Sequence, residues 1–224
     1  MQAVWIGLVN VAFTVVAMLT IDKWGRKPLL LIGLTGVVIS MSICTYGFKQ
    51  ATYQVQQTAI NEIQQDAPSV AIKLTSLTND TYYSDVEFKR ALKTALTSEE
   101  YDNYQQPLLT SSIKMNAPLV LFGIIAFVAS FAMSLGPVMW AMLAEIFPNQ
   151  TRALAISLVG MVNSLTSFLV QVVFPWELAN LGAAATFAIY GVFALVSLIL
   201  VAKFFPETKG RTLEEITEEF EQCA

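Results

Sequence analysis

The chain has 224 residues, of which 55% are hydrophobic and 13% charged, whereas an average soluble domain carries roughly 25% of charged residues. The net charge is −4 and no long basic stripe occurs, which argues against nucleic acid as a partner. Two cysteines and no histidine argue against a disulfide framework and a zinc site, and we predict no metal and no cofactor.

Charge-free stretches long enough to cross a lipid bilayer occur five times along the chain. A hydrocarbon core about 30 Å thick needs roughly 20 apolar residues in a helix. Gly136, Pro137 and Pro148 lie in or directly after the third stretch, so we expect a bent helix that ends at the second proline. The predicted membrane-spanning helices cover residues 4–21, 28–47, 117–147, 153–174 and 181–204.

Basic residues predict the orientation of these spans. Lys23, Arg26 and Lys27 lie between the first two spans, Arg152 lies between the third and the fourth, and further basic residues follow the fifth. The loop predicted at 175–180 has none. The positive-inside rule therefore places the amino terminus outside and the carboxyl terminus in the cytoplasm. An amino end at the outer face is unusual for a complete five-span protein, and we interpret the chain as truncated.

A polar segment of mixed charge separates the second and third spans and is predicted to lie outside the membrane. Two capping boxes, Ser84 with Glu87 and Thr97 with Glu100, predict helix starts in it. Apolar residues at helical spacing predict two or three short helices that form a cap, most simply a solvated connector with no ligand of its own. The predicted organisation is spans one and two in 1–47, the insert in 48–114, spans three to five in 115–205, and a cytoplasmic tail with a short helix in 206–224.

Polar side chains inside the spans are costly in lipid and usually face a bundle interior or an aqueous cavity. Asn10, Asn163 and Gln171 each carry an amide with four hydrogen-bonding sites to satisfy. Trp140 lies beside the predicted helix break, although tryptophan prefers the membrane interface. Small and hydroxyl residues in the same spans, such as Ser134, are better explained as helix-packing contacts. The pattern by itself predicts a pathway for a polar solute.

Three motifs in order resemble those of one transporter family. Residues 22–27 (DKWGRK) resemble the acidic-basic-x-Gly-Arg-basic loop of the major facilitator superfamily. Residues 136–140 (GPVMW), followed by 145–148 (EIFP) and Arg152, resemble the tenth-helix signature of its sugar porter family, and 206–211 (PETKGR) is similar to the signature after that family's last helix. The resemblance implies an all-α membrane protein whose five spans are helices eight to twelve, with a mostly helical extracytoplasmic insert that is longer than usual.

The resemblance also implies a substrate site. The family's sugar-binding positions correspond to Asn10, Gly136, Trp140 and Asn163, in which amides bond sugar hydroxyls and the tryptophan lies against the ring. Gln171 has no such counterpart and is interpreted as a helix-packing residue.

Charged motif residues are implied to form a cytoplasmic network that holds the outward-facing state and separates when the inner gate opens. Its central members would join the loop after the first span to the ends of the third and fourth. The residues are Asp22, Arg26, Glu145, Arg152, Glu207 and Arg211.

The resemblance implies that a full-length parent protein transports monosaccharides by alternating access. This chain alone is not expected to transport. The expected partners are the sugar, the lipid bilayer of the plasma or inner membrane, and the missing amino-terminal helices, with no nucleic acid. A transporter-like sugar sensor and a partner-dependent half-transporter are the alternatives. A membrane enzyme is not expected, because no histidine occurs and no span carries paired carboxylates.

Overall fold

A computed structural model describes residues 2–78, 80–147 and 149–210 of the chain. Helices dominate this part of the chain, and one antiparallel pair of two-residue strands accompanies them. In chain order the elements are α1 (Gln2–Trp24), α2 (Arg26–Lys49), β1 (Thr52–Tyr53), α3 (Gln57–Asp66), α4 (Pro68–Thr75), α5 (Asp85–Ala95), α6 (Ser98–Ser112), β2 (Ile113–Lys114), α7 (Ala117–Met133), α8 (Leu135–Ile146), α9 (Arg152–Asn180) and α10 (Ala183–Phe204).

Five helical segments in the described residues are long and apolar enough to cross a membrane, which confirms the five predicted spans. They are α1, α2, the α7–α8 pair, α9 and α10. The third span is interrupted at Ser134, between α7 and α8. Pro137 explains the position, because a proline has no amide to donate to the carbonyl four residues earlier, which is that of Met133, the last residue of α7. The predicted end at Pro148 lies outside the described residues, and α8 ends at Ile146.

The loop predicted at 175–180 is wrong, because α9 continues through Pro175 to Asn180. A proline inside a helix removes one hydrogen bond, and 29 residues of α9 supply enough others for the helix to continue. The helix ends where Gly182 adopts a φ of 85°, a left-handed conformation that glycine takes without a Cβ clash. The amides of Leu181 and Gly182 both donate to the carbonyl of Glu177, at 2.7 and 3.2 Å.

The chain divides into two compact units, which we describe separately. The span unit comprises residues 1–43, 121–174 and 188–224, and the insert unit comprises 44–120 and 175–187. The core of the span unit contains Leu29 and Leu30 of α2 packed on Val138 and Met142 of α8.

In the span unit, α2 lies close to the last turn of α7 and to the break that follows it. A Cβ at Gly33 would collide with the side chain of Ser134, and one at Gly36 with that of Ser130. Small residues allow such backbone approach in membrane helices. Ser130 and Ser134 of the third span therefore serve helix packing, which is the interpretation favoured for them above.

The insert unit has its own hydrophobic core, in which Phe88, Leu92 and Leu108 are fully buried. Four short helices, α3 to α6, build it within the described residues, rather than the two or three expected. The difference arises because α3 and α4 follow each other with only Ala67 between them, and hydrophobic periodicity did not separate them. Thr97 and Glu100 form the complete predicted capping box.

Two of the spans, α1 and α9, expose most of their described apolar side chains in this structure. None of the 29 residues of α9 is buried, and Leu165 and Phe168 are 59% and 61% exposed. Apolar surfaces of this extent are unfavourable in water and are found where lipid or further protein covers them.

Candidate functional site

A sharp turn between α1 and α2 begins the first candidate site. Gly25 takes a φ of 91° there, and its amide donates to the carbonyl of Ile21 at 3.2 Å. A Cβ on Gly25 would lie 2.6 Å from a carboxylate oxygen of Glu207. Glycine is therefore required twice, by the left-handed backbone and by the approach of that carboxylate.

Glu207 caps the amino terminus of α2 from a distant part of the chain. Its Oε1 accepts the backbone amide of Arg26 at 3.0 Å, and its Oε2 accepts that of Lys27 at 3.1 Å. The first amides of a helix have no partner within the helix, and the helix dipole favours a negative charge at this end. The segment after α10 is thus attached to the start of α2.

An ion pair between Arg26 and Glu145 joins the start of α2 to the end of α8. The Nη2 and Nε atoms of Arg26 donate to Oε1 of Glu145 at 2.6 and 3.1 Å. The other carboxylate oxygen accepts the hydroxyl of Thr208 at 2.7 Å. The Arg26 side chain is 16% exposed and that of Glu145 32%, so water screens the pair only in part. Asp22, which is 81% exposed, lies 3.5 Å from Arg26 and adds a weak surface contact.

We call Asp22, Gly25, Arg26, Glu145, Glu207 and Thr208 the end cluster. It connects three segments that are far apart in sequence: the α1–α2 turn, the end of α8 and the segment after α10. Hydrogen bonds to charged groups contribute about 1.5–3 kcal/mol each when well formed. Several such contacts together can hold these three helix ends in one arrangement, and their separation would free the ends to move apart.

Of the residues predicted for the charge network, Arg152 stands apart from the end cluster. Arg152 donates through Nε to the backbone carbonyl of Phe147 at 3.1 Å, and no ion pair connects it to Glu145 within the described part of the chain. It therefore stabilises the turn between α8 and α9. Arg211 lies outside the described residues.

Sequence reasoning missed Thr208 and the role of Gly25. Lys209 was also missed as a contact, and its Nζ donates to the carbonyl of Lys23 at 2.6 Å. All three residues lie within the two quoted end motifs, 22–27 and 206–211. Treating those motifs as partners that meet in space would have identified them.

The predicted sugar-binding residues lie on three helices of the span unit. Asn10 is exposed on α1, where its Oδ1 is 3.4 Å from the Thr14 hydroxyl. Trp140 on α8 is 41% exposed, and Asn163 on α9 is exposed. Gly136 is half-buried in the first turn of α8. Hydrogen bonds do not link these residues to one another in the described structure, and three of them (Asn10, Trp140 and Asn163) are exposed.

Gln171 was interpreted as a helix-packing residue. It is exposed, and its side-chain amide donates to the carbonyl of Ser167 one turn earlier in α9. Its hydrogen bond is therefore made within its own helix.

Comparison with known families supplies the decisive observation. A family model described as "Sugar (and other) transporter" matches residues 1–66 and 104–220, which include all five spans. The chain belongs to this sugar transporter family. Together with its five apolar spans, this makes it an integral membrane protein. Residues 67–103, which hold α4 and α5, lie outside the match.

Individual relatives agree with the family. The D-xylose-proton symporter of Escherichia coli strain K12 is 29% identical over 223 residues, covering 96% of this chain and 32% of the symporter. The "Solute carrier family 2, facilitated glucose transporter member 10" of Xenopus tropicalis is 26% identical over 250 residues, covering 98% of this chain and 44% of that protein. The chain therefore spans about a third to less than half of the length of these relatives.

A solved structure shows the same fold. The inward-open xylose transporter XylE from E. coli matches with a TM-score of 0.64 and 27% identity, over 97% of this chain and 35% of that one. The likeness supports the predicted all-α fold of a major-facilitator half.

Proposed function

We propose that this chain carries sugar across a membrane by alternating access, as spans eight to twelve of a transporter that also includes further spans like those of its longer relatives. The substrate class is a monosaccharide. The family match and relatives that are named for xylose and glucose transport support the substrate class. In such transporters the substrate lies near the midplane between two helical halves.

The proposed orientation places the end cluster in the cytoplasm. Basic residues of the span unit lie at or near the ends of its helices. They are Lys23, Arg26, Lys27, Arg152 and Lys209. Cytoplasmic loops carry an excess of such residues. The insert unit and the α9–α10 turn then face the outside.

The observation that carries the proposal is the Arg26–Glu145 ion pair, together with the Glu207 cap on α2. In the proposed cycle these contacts form in the outward-facing state and break when the cytoplasmic side opens. Opposite charges about 4 Å apart interact by about 4 kcal/mol at an effective dielectric of 20, before desolvation is subtracted. About 5.5 kcal/mol is enough to invert a two-state ratio from 1:99 to 99:1, so a few such contacts can bias the cycle.

The proposed sugar site consists of Asn10, Gly136, Trp140 and Asn163. Their exposure supports the proposal, because the amides are available to sugar hydroxyls and the indole face to the apolar side of a sugar ring. The span is interrupted at Ser134, two residues before Gly136, and helix breaks of this kind are found where helices line a cavity.

Uptake of radiolabelled D-glucose and D-xylose into proteoliposomes that hold the transporter containing this chain tests the proposal. Asn163→Ala should reduce saturable uptake about tenfold, the effect of losing roughly 1.4 kcal/mol of substrate interaction. Gln171→Ala, two turns further along the same helix, is the matched control and should leave uptake unchanged. Equal uptake by the wild type and by both Asn10→Ala and Asn163→Ala would contradict the proposed site.

A further inference from the structure

An open groove lies within the insert unit, away from the residues proposed for transport. Its volume is about 550 Å³, within the range of roughly 300–1,000 Å³ typical of small-molecule sites. Helix α6 forms one wall, and α5 and the last turns of α9 form the other, with Tyr53 of β1 also contributing. Part of this groove, including α5, belongs to the segment that the family match does not cover.

The charges in the groove are already paired. Lys89 Nζ lies 3.0 Å from Oδ2 of Asp85, and these side chains are only 17% and 15% exposed. The same Nζ donates to the carbonyl of Leu178 at the end of α9, at 3.2 Å. The groove therefore offers a neutralised wall, which favours a neutral ligand over an ion.

Three polar residues whose side chains have no hydrogen-bond partner within the described part of the chain line this groove. The side chains of Gln105 and Gln106 and the hydroxyl of Tyr53 form no hydrogen bond within the described residues, although Gln105 is half-buried. Each amide has two donor and two acceptor sites to satisfy. Burial, with a smaller effect of nearby Asp85, raises the pKa of Tyr53 to about 12, so its hydroxyl remains a donor at neutral pH.

Apolar side chains complete the groove. Leu109, Ile113, Met115 and Pro175 line it beside the amides, and the Thr110 hydroxyl stands one turn from Gln106. Alternating amide, hydroxyl and apolar surface matches the two faces of a sugar ring, which presents hydroxyl edges and apolar C–H faces.

We propose that the groove between α5, α6 and the end of α9 binds a neutral polyhydroxylated ligand, a monosaccharide or disaccharide, at a site separate from the transport site. This inference rests on the proposed function in one respect: the proposed orientation places the insert unit outside the membrane, where it would meet external sugar. Gln105, Gln106 and Tyr53 supply the hydrogen bonds, and Leu109 and Pro175 supply apolar contact.

Saturation-transfer difference NMR on the whole chain in lipid nanodiscs tests the inference, with D-glucose and maltose as probes. The double variant Gln105→Ala/Gln106→Ala should weaken binding roughly fivefold, as expected for losing hydrogen bonds to an uncharged ligand. Tyr53→Phe should weaken it less, because it removes the hydroxyl and keeps the ring stack on Phe88, whose centroid is 5.7 Å away. Gln64→Ala on the exposed side of α3 is the matched control and should bind as the wild type does. Far-UV circular dichroism checks that each variant is folded.

A further double variant separates this site from the proposed transport site. Asn10→Ala/Asn163→Ala should leave the NMR signal of the groove unchanged, even if it abolishes uptake. A signal that disappears in that variant and survives Gln105→Ala/Gln106→Ala would overturn the groove site while supporting the transport site. A signal that needs Gln105 and Gln106, together with no sugar uptake by the transporter containing this chain, would support the groove and contradict the proposed function. Binding of D-glucuronate without binding of D-glucose would also overturn the inference, because it would require an unpaired cation.

Discussion

The span unit and the insert unit are stabilised in opposite ways. In the insert, Phe88, Leu92 and Leu108 are fully buried, so the unit has a core of the kind found in water-soluble domains. In the spans, α9 buries none of its residues, and a buried cluster forms where Leu29 and Leu30 of α2 pack on Val138 and Met142 of α8. The comparison teaches that the insert contains its own hydrophobic solvent-excluding core, whereas the spans depend on lipid and further protein.

The largest loss of stability is expected from truncating a side chain in the core of the insert. Phe88→Ala should destabilise the insert by about 3–5 kcal/mol, because it removes a fully buried ring that stacks on Tyr53 and contacts Tyr82 at a tilted angle. Hydrogen–deuterium exchange of peptides from α5 and α6 measures the loss of protection.

The matched change in the spans is Leu165→Ala, at a leucine that is 59% exposed on α9. It should change the stability of the protein by no more than about 0.5 kcal/mol. Similar losses at Phe88 and Leu165 would break the contrast between the two units.

The next largest loss of stability is expected from substitutions of turn glycines. Each unit has one turn glycine that lies directly against a carboxylate side chain. Gly25 and Gly182 have φ values of 91° and 85°, and a Cβ would displace Glu207 at the first and Asp85 at the second. Gly210, with a φ of 71° and open space around it, is the control. Alanine costs about 1–2 kcal/mol in this conformation at any of the three.

Gly25→Ala and Gly182→Ala should each lose about 1–3 kcal/mol more than Gly210→Ala, since hydrogen bonds of a charged group are disturbed. Thermal unfolding in detergent measures the differences. Three equal losses would mean that the carboxylate contacts contribute nothing to stability.

The smallest effect is a pH dependence of the insert. The hydrogen bond from Lys73, followed by that from the Thr97 amide, lowers the pKa of Glu100 from 4.5 to about 2. A carboxylate with a depressed pKa stabilises the folded state above its unfolded value, so this contribution is lost as the pH falls from about 4.5 toward 2.

Thermal unfolding of the insert, monitored by hydrogen–deuterium exchange of peptides from α6 at pH values between 6 and 3, checks the direction of this pH dependence. Glu100→Gln should flatten the dependence, whereas Glu99→Gln, one residue away and outside the capping box, should retain it. A profile that Glu100→Gln does not alter would assign the pH dependence to other groups.

Much of this architecture follows from local sequence. Charge-free runs of about 20 residues give the spans directly, since lipid excludes charges from them. Thr97 and Glu100 predict the start of α6, because the capping box depends on residues three apart. The predicted end of α9 was wrong because Pro175 was treated as the end of the helix. The helix stops only where Gly182 permits a left-handed turn.

Tertiary contacts between distant residues could not be derived in the same way. Motifs identified Arg26, Glu145 and Glu207 as candidates, but their contacts join residues 119 and 181 positions apart. The Glu207 cap on α2 and the Thr208 hydroxyl on Glu145 depend on how three helix ends meet. Neither hydrophobic periodicity nor local spacing specifies such a meeting. The groove beside Gln105 likewise exists only once α5, α6 and α9 are packed together.

We propose that the end cluster controls sugar transport and that the insert does not. Each region offers the same chemistry for the comparison, a glutamate that binds one cation and one further donor. Glu145 accepts from Arg26 at 2.6 Å and from Thr208 at 2.7 Å, and Glu100 accepts from Lys73 at 2.7 Å and from the Thr97 amide at 2.8 Å.

The most direct test measures D-glucose and D-xylose uptake by the transporter containing this chain, with Glu145→Ala and Glu100→Ala each compared with the wild type at equal membrane insertion. We predict that Glu145→Ala lowers the initial rate at least about tenfold, corresponding to about 1.4 kcal/mol. Glu100→Ala should retain the rate of the wild type. Unchanged uptake in Glu145→Ala, or an equal loss in both variants, would contradict the account.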